Sequence, residues 1–149
     1  MDKRGGFTLV ELVIVIAVLA VVLGAVFFTV SRRDTSRREI LAAADILMSD
    51  IRYARQRAVA SGARVIVSFN GANDTYTIRY FRYSWHIRQE SLPSGITFEH
   101  AGFRTFEYLP RGTPSGGSSV TIISASHRLT ISVVGSGGRV RISDFREVS

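Results

Sequence analysis

Few residues of this sequence have the types and spacing that catalysis or metal binding requires. The three histidines, His86, His100 and His127, have no Asp or Glu at metal-ligand spacing. Cysteine is absent, and the only lysine, Lys3, does not lie in a glycine-rich phosphate-binding loop. Residues 70–74 lack the alternating acidic side chains of a calcium loop and are predicted to form a hairpin turn. We therefore expect no enzyme, no metal and no cofactor.

Glu11 is the one charged residue within a long apolar run. Residues 7–30 contain no other charge and no proline. About 20 apolar residues suffice to cross a bilayer as a helix, so this run predicts a single transmembrane helix rather than a cleaved signal peptide. A carboxylate at the centre of such a helix costs about 2.5 to 3.5 kcal/mol, which indicates a functional role. The alternative is that Glu11 lies near the headgroups and the positive end of the helix dipole, where the cost is lower.

A small cationic surface is predicted near the C-terminus. Arg139 and Arg141 alternate on a predicted strand, so their guanidinium groups face the same side, and Gly138 before them allows close backbone approach. With a net charge of +7, this favours salt-dependent, sequence-independent binding to phosphates. Aromatic residues interleaved with arginines form a second candidate surface, for base stacking: Tyr80, Phe81, Tyr83 and Trp85 with Arg79 and Arg82. The alternative, half-buried aromatics and solvated arginines, remains open.

A long helix is predicted to carry Glu11 and to continue into the polar part of the chain. In residues 31–62, apolar side chains recur in steps of three and four and therefore share one helix face: Ile40, Ala44, Leu47, Ile51, Ala54 and Ala58. No proline or glycine-rich linker separates residues 30 and 31, so one helix is expected over residues 7–61, roughly 80 Å long, ending at Gly62.

The remaining residues, 63–149, are predicted to form an antiparallel β domain. Candidate strands cover residues 64–69, 75–83, 96–99, 104–109, 119–123, 129–134 and 139–143, with Gly, Pro, Asn and Ser between them. Strands at short intervals without intervening helices imply antiparallel pairing. The predicted fold class is α+β: a long N-terminal helix, its first half transmembrane, packed against an antiparallel sheet.

Residues 3–11, KRGGFTLVE, resemble the prepilin signature of type IV pilins and type II secretion pseudopilins. The resemblance implies that residues 1–6 are a leader peptide. It implies cleavage between Gly6 and Phe7 by a prepilin peptidase, N-methylation of Phe7, and contact of Glu11 with the N-terminal amine of a neighbouring subunit. The implied location is a single pass through the cytoplasmic (inner) membrane, with the C-terminal domain outside the cytoplasm, and then a pilus or pseudopilus.

Several later segments resemble the GspH/FimT group of minor pilins and pseudopilins: residues 50–59, Gly62, residues 105–108, residues 111–114 and residues 138–142. This resemblance implies a low-abundance subunit that helps initiate or cap a filament. The implied partners are other pilin or pseudopilin subunits, the prepilin peptidase, the inner-membrane assembly platform and the membrane. Some FimT-like minor pilins bind DNA through a C-terminal Gly-Arg-x-Arg element during natural transformation. Residues 138–141 match that element, so DNA is the alternative partner.

The charges that flank the apolar run do not follow the usual membrane pattern. Residues 32–38 contain four arginines, against two basic residues in the leader, whereas cytoplasmic flanks usually carry the excess of positive charge. We interpret these arginines as contacts for lipid headgroups or for acids on adjacent subunits. A plain solvated helix face remains the alternative.

Overall fold

The computed structural model describes residues 9–83, 86–100, 102–135 and 137–148, without the side chains of residues 25–34 and 103. The chain divides into two compact units, Met1–Thr35 and Ser36–Ser149. In the described part, the first unit consists of helical residues. The second contains the end of the same helix and eight strands.

The helix, α1, comprises Leu9–Ser61, so the predicted helix is confirmed, and its predicted first residues, 7 and 8, lie outside the described part of the chain. The helix ends where Gly62 adopts a φ of 60°, a conformation that favours glycine because it has no Cβ. The predicted apolar face is also confirmed. All six of its members are buried, at 0–1% exposure: Ile40, Ala44, Leu47, Ile51, Ala54 and Ala58.

The described side chains of the first unit have a different environment. Every side chain of residues 9–24 is exposed within the monomer. Within the described part of the chain, no helical stretch is both long enough and apolar enough to span a membrane. The predicted transmembrane segment, residues 7–30, lies partly outside the described residues, at residues 7 and 8 and at the side chains of residues 25–30.

Two antiparallel four-stranded sheets form the rest of the second unit, where one sheet was predicted. The first has the order β3-β2-β1-β5, with β1 at Val65–Asn70, β2 at Thr75–Tyr80, β3 at His86–Ser91 and β5 at Phe103–Tyr108. The second has the order β4-β6-β7-β8, with β4 at Thr97–Phe98, β6 at Ser118–Ile123, β7 at His127–Val134 and β8 at Arg139–Glu147. The α+β class is confirmed.

The largest differences from the prediction concern the ends of two strands and one additional strand. Strand β2 ends at Tyr80 because the next two residues turn, and β8 continues beyond Ser143 to Glu147 after a register shift near Thr130. Strand β3 was not predicted, because its sequence HIRQES has almost no apolar alternation. It is an edge strand with one partly buried side chain, Ile87, so its pairing with β2 defines it rather than its composition.

One core holds the second half of the helix and both sheets together. The buried face of α1 shares a continuous apolar cluster with strands of each sheet. At its centre, the buried ring of Phe69 lies 5.9 Å from Phe106 in the same sheet and 5.5 Å from Phe98 in the other. Ring contacts of this kind add to the burial of the rings themselves. The packing fixes β8 and the second half of α1 within one unit, and both carry exposed arginines.

Candidate functional site

The residues predicted to act in processing and assembly lie at the start of the chain. Gly6 and Phe7 lie outside the described residues, so their cleavage and methylation remain predictions. Glu11 lies in the first turn of α1, and its side chain is exposed. Negative charge is favourable near a helix N-terminus, where the backbone N–H groups point outward.

An apolar surface surrounds Glu11 on the helix. Residues 9–24 contain no other charged side chain, and large apolar side chains are exposed on all sides of the helix, from Leu9 at 77% to Leu23 at 64%. An amphipathic helix buries one stripe, whereas a helix that is apolar all round must be covered all round. This segment therefore has the surface of a helix that lies in a bilayer or among other helices.

Arg139 and Arg141 lie where the sequence predicted them, at the start of a strand with both side chains exposed. Arg139 pairs with Val134 and Arg141 with Ser132 of β7. Val140 between them turns to the other face and packs against the core. Because β8 pairs only with β7 among the described strands, the two guanidinium groups lie at the open edge of the second sheet.

Two arginines of α1 share this surface, although the sequence alone did not assign them to it. Arg52, Arg55 and Gln56 line a hollow of about 450 Å³ together with residues 138–141. The side chains of Arg52 and Arg55 are exposed. Their spacing of three residues places them on one helix face. The helical pattern could have revealed that shared face, but only the tertiary structure places it beside β8.

Hydrogen bonds to backbone carbonyls hold the two sides of this hollow in place. The hydroxyl of Tyr108 donates a hydrogen bond to the carbonyl oxygen of Gly138, at 3.5 Å. Burial raises the pKa of Tyr108 to about 12, so the hydroxyl keeps its proton at neutral pH. On the helix side, Nε of Arg55 donates to the carbonyl oxygen of Gly112 at 3.0 Å. The turn before β8 and the helix arginine therefore have defined positions.

The predicted aromatic surface is only partly formed. Tyr80 is buried, because alternation along β2 turns it toward the core with Tyr76 and Ile78. Phe81 and Tyr83 are exposed at 49% and 53%. They line a hollow of about 380 Å³ with Arg64, Tyr80, Arg82 and residues 62–63. Trp85 lies outside the described residues, so a continuous stacking surface through all four aromatic residues remains a prediction.

The histidines occupy three separate environments. His86 is exposed on β3, His100 is partly buried, and His127 is buried against Phe145, with Nδ1 at 2.9 Å from the hydroxyl of Ser126. Within residues 9–148, as far as they are described, no group of three His, Asp or Glu side chains is arranged to hold a metal ion.

The predicted hairpin at residues 70–74 is confirmed, because β1 and β2 pair up to Asn70 and Thr75. Oδ1 of Asn70 accepts a hydrogen bond from the N–H of Ala72 at 3.0 Å, which is typical of a turn stabilised by its own side chain. Oδ1 of Asp74 accepts one from the N–H of Phe98 at 2.8 Å, and this bond links the hairpin to β4 of the second sheet.

Asp50 is a buried polar residue that sequence reasoning missed. It lies on the buried side of α1 at 3% exposure and accepts hydrogen bonds from the hydroxyl of Tyr76, at 2.6 Å, and from Arg88. Burial, and then the bond to Asp50, raise the pKa of Tyr76, so the phenol stays protonated and donates. The charge of Asp50 raises the pKa of Arg88. This cluster links α1 to β2 and β3.

Family models match two parts of the chain. The prokaryotic N-terminal methylation motif matches residues 1–27. The model described as type II transport protein GspH matches residues 43–138. No curated protein sequence matches the chain significantly.

Solved structures with a similar fold include two minor subunits of bacterial filaments. The type IV minor pilin FimU of Pseudomonas aeruginosa is 17% identical, with a TM-score of 0.60, over 74% of this chain and 92% of that chain. The minor pseudopilin EpsH of the type 2 secretion system of Vibrio cholerae is 13% identical, with a TM-score of 0.54, over 70% of this chain and 95% of that chain. At these identities the similarity establishes the fold.

The GspH model covers well over half of the chain. It includes strands β1 to β7 and ends at Gly138, immediately before β8. The methylation motif covers the segment that carries the prepilin signature. On this evidence the chain belongs to the GspH family of type II transport proteins, as a minor pseudopilin or pilin of the GspH/FimT type.

Proposed function

We propose that this protein is anchored in the cytoplasmic (inner) membrane by residues 7–30, with its β domain outside the cytoplasm. After removal of residues 1–6, it enters a type II secretion pseudopilus or a type IV pilus. In that filament it is a low-abundance structural subunit that helps to initiate or cap assembly, and its partners are other pilin or pseudopilin subunits.

The observation that carries this proposal is the apolar surface of α1. All side chains of residues 9–24 are exposed, and Glu11 is the only charged one among them. A monomer in water would not keep so much apolar surface uncovered, because each buried methylene gains about 0.8 kcal/mol on leaving water. Lipid can cover the segment before assembly, and the equivalent helices of neighbouring subunits can cover it afterwards.

The role of Glu11 follows from the low dielectric of such an environment. A carboxylate among packed apolar helices is stabilised by an opposite charge, and the N-terminal amine that cleavage creates on a neighbouring Phe7 would supply one. Because a charge pair of this kind forms in only one arrangement of adjacent subunits, it would set their axial register. Cleavage at the start of residues 7–30, retention of the subunit in the membrane and filament assembly thus all involve this one segment.

Processing is tested with a bulky residue at the cleavage site. Gly6→Leu should leave the leader attached, so mass spectrometry should detect the full chain, whereas wild type and the control Gly5→Ala should begin at a methylated Phe7. A mature-sized product from Gly6→Leu would refute the cleavage assignment.

Initiation is tested in a strain that lacks the protein. Fewer filaments of unchanged length would support a role in initiation, because each filament would still grow normally once it had started. An unchanged number of filaments would contradict that role.

The exposed arginines of β8 favour a second candidate, a DNA receptor on such a filament. Arg139 and Arg141 project from the free edge of the second sheet, which belongs to the second unit of the chain. Contacts between arginine and phosphate give salt-dependent affinity without base specificity. A structural subunit can also carry such a surface, so the two roles are compatible.

This candidate is tested by DNA binding of the full chain in neutral detergent. Fluorescence anisotropy with an arbitrary duplex should show binding at low salt that weakens in Arg139→Gln/Arg141→Gln. Each lost phosphate contact reduces the salt slope by about 0.9. If wild type shows no binding at low salt, the protein is not a DNA receptor, and the search for partners turns to filament subunits.

A further inference from the structure

We propose that Arg52 and Arg55 of α1 form the second side of the nucleic-acid site, opposite Arg139 and Arg141 of β8. The groove between the helix and the strand then holds a single phosphodiester backbone. This inference rests on the DNA-binding role proposed above, and it assigns that role to residues outside the Gly-Arg-x-Arg element.

The composition of the groove is the first argument. Its lining is four arginines, Gln56, Gly138 and Val140. A second hollow of about 450 Å³ extends past Arg139 and Arg141 toward Val134, Gly135 and Gly137. Arg139 and Arg141 therefore border open space on two sides, toward the helix and along the edge of the sheet.

The availability of the arginines is the second argument. Among the described residues, several other arginines are paired with carboxylates: Arg64 with Glu107, Arg88 with Asp50, Arg128 with Glu99 and Arg146 with Asp144. No described carboxylate lies within 4.0 Å of the guanidinium nitrogens of Arg52, Arg55, Arg139 or Arg141. Arg55 uses Nε to bind the carbonyl of Gly112, so its two terminal nitrogens remain for a ligand.

The arrangement of charge is the third argument. The Cα atoms of Arg139 and Arg141 are about 6.6 Å apart along the strand, and those of Arg52 and Arg55 are about 4.5 Å apart along the helix axis. Two short rows of positive charge therefore line one groove. A nucleic-acid strand carries a regular series of negative charges, and each guanidinium can bind a phosphate through two N–H groups.

The lack of an apolar anchor favours nucleic acid over an acidic protein. Stable protein interfaces usually have an apolar or aromatic centre. The groove presents one partly buried aliphatic side chain, Val140, and the exposed aromatics Phe81 and Tyr83 line a different hollow. Binding by guanidinium groups alone suits a phosphate backbone, and it predicts little dependence on base sequence.

The test measures DNA affinity of the full chain in neutral detergent across a series of salt concentrations. Arg52→Gln/Arg55→Gln should lower the slope of log K against log salt by about 1.8, and so should Arg139→Gln/Arg141→Gln. At 0.1 M salt each pair should cost on the order of 50-fold in affinity. The variant with all four substitutions should lose about twice the slope of either pair.

Two further variants serve as controls. Arg38→Gln/Arg104→Gln removes the same charge from exposed positions outside the groove and should leave the slope unchanged. Arg52→Gln alone leaves the hydrogen bond between Arg55 and Gly112 intact. It should lower the salt slope by about 0.9, and a shift of Gly112 cannot be the cause of that decrease.

The outcomes separate this inference from the function on which it rests. If Arg139→Gln/Arg141→Gln lowers the salt slope and Arg52→Gln/Arg55→Gln does not, the proposed helix side of the site is wrong, whereas the proposal of a DNA receptor stands. If wild type binds no DNA at low salt, both are wrong. Competition by polyglutamate as strong as that by DNA of equal charge would overturn the assignment to nucleic acid.

Discussion

Gly138 shows how a single residue determines the shape of the arginine surface. It has a φ of 59°, and a Cβ at this position would lie 2.9 Å from Cε1 of Tyr108 and 3.0 Å from the carbonyl oxygen of Gly112. Both neighbours are fixed by their own hydrogen bonds, to Gly138 and to Arg55. The glycine of the Gly-Arg-x-Arg element is therefore required by backbone conformation and packing, independently of any ligand.

Gly138→Ala should accordingly lower the free energy of unfolding by about 1 to 3 kcal/mol. It should also weaken DNA binding, because the turn that precedes Arg139 must shift. Urea unfolding of the purified chain measures the first effect. The control Gly137→Ala should change stability less, because a Cβ on Gly137 would have no neighbouring atom within 4 Å. Equal stabilities of wild type and Gly138→Ala would contradict this account.

His100 gives a prediction about pH. Burial, and then the positive charge of Arg104, lower the pKa of His100 below 6.5. The unfolded chain therefore takes up this proton more readily than the folded chain. Stability that is present above pH 6.5 should be lost as the pH falls through the lowered pKa.

The measurement compares urea unfolding at about pH 7.5 and about pH 5, on either side of the ordinary histidine pKa. In His100→Asn the difference between the two conditions should be smaller than in wild type. His86→Asn, at an exposed position on β3, is the matched control and should retain the wild-type difference. An equal loss of stability in His100→Asn and wild type would exclude His100 as the source.

At the scale of elements, α1 combines two surfaces that the sequence distinguishes clearly. The apolar run that contains Glu11 and the spaced apolar positions from Ile40 to Ala58 are regular patterns, so the helix and its buried face could be predicted. Strand β3 could not be predicted from the sequence, because an edge strand needs backbone pairing but little apolar alternation. The position of Asp50 in the core could not be predicted either, because its partners Tyr76 and Arg88 lie far away in sequence.

The Asp50 cluster should contribute measurably to holding α1 against the first sheet. Asp50→Asn should lower the free energy of unfolding by about 1 to 3 kcal/mol, because it weakens two charge-assisted hydrogen bonds at a buried position. Tyr76→Phe should cost about 1 kcal/mol. Asp45→Asn, an exposed acid on the same helix, should stay within about 0.5 kcal/mol of wild type. Urea unfolding measures all three, and a similar effect of Asp45→Asn and Asp50→Asn would refute the role of the cluster.

At the scale of the whole molecule, the described side chains of residues 9–24 form an exposed helix surface that is apolar except for Glu11, whereas the second unit folds around its own core. The apolar run and the spaced apolar positions of the sequence indicate both surfaces, and the filament role of the first stays a prediction from the prepilin signature. Two features of the site were beyond sequence reasoning. Arg52 and Arg55 meet Arg139 and Arg141 only through packing of α1 beside β8, and the burial of Tyr80 depends on the register of β2.

The central claim, that the apolar segment assembles a filament and that Glu11 sets its register, is tested most directly by subunit content. Filaments are sheared from cells that carry wild type, Glu11→Gln or the control Glu39→Gln as the only copy, and the mature chain is quantified in the filament and membrane fractions. Wild type and Glu39→Gln should appear in filaments. Glu11→Gln should be processed and membrane-bound but depleted from filaments about tenfold or more, because a buried charge-assisted contact contributes about 1.5 to 3 kcal/mol. Equal amounts of Glu11→Gln and wild type in the filaments would contradict the claim.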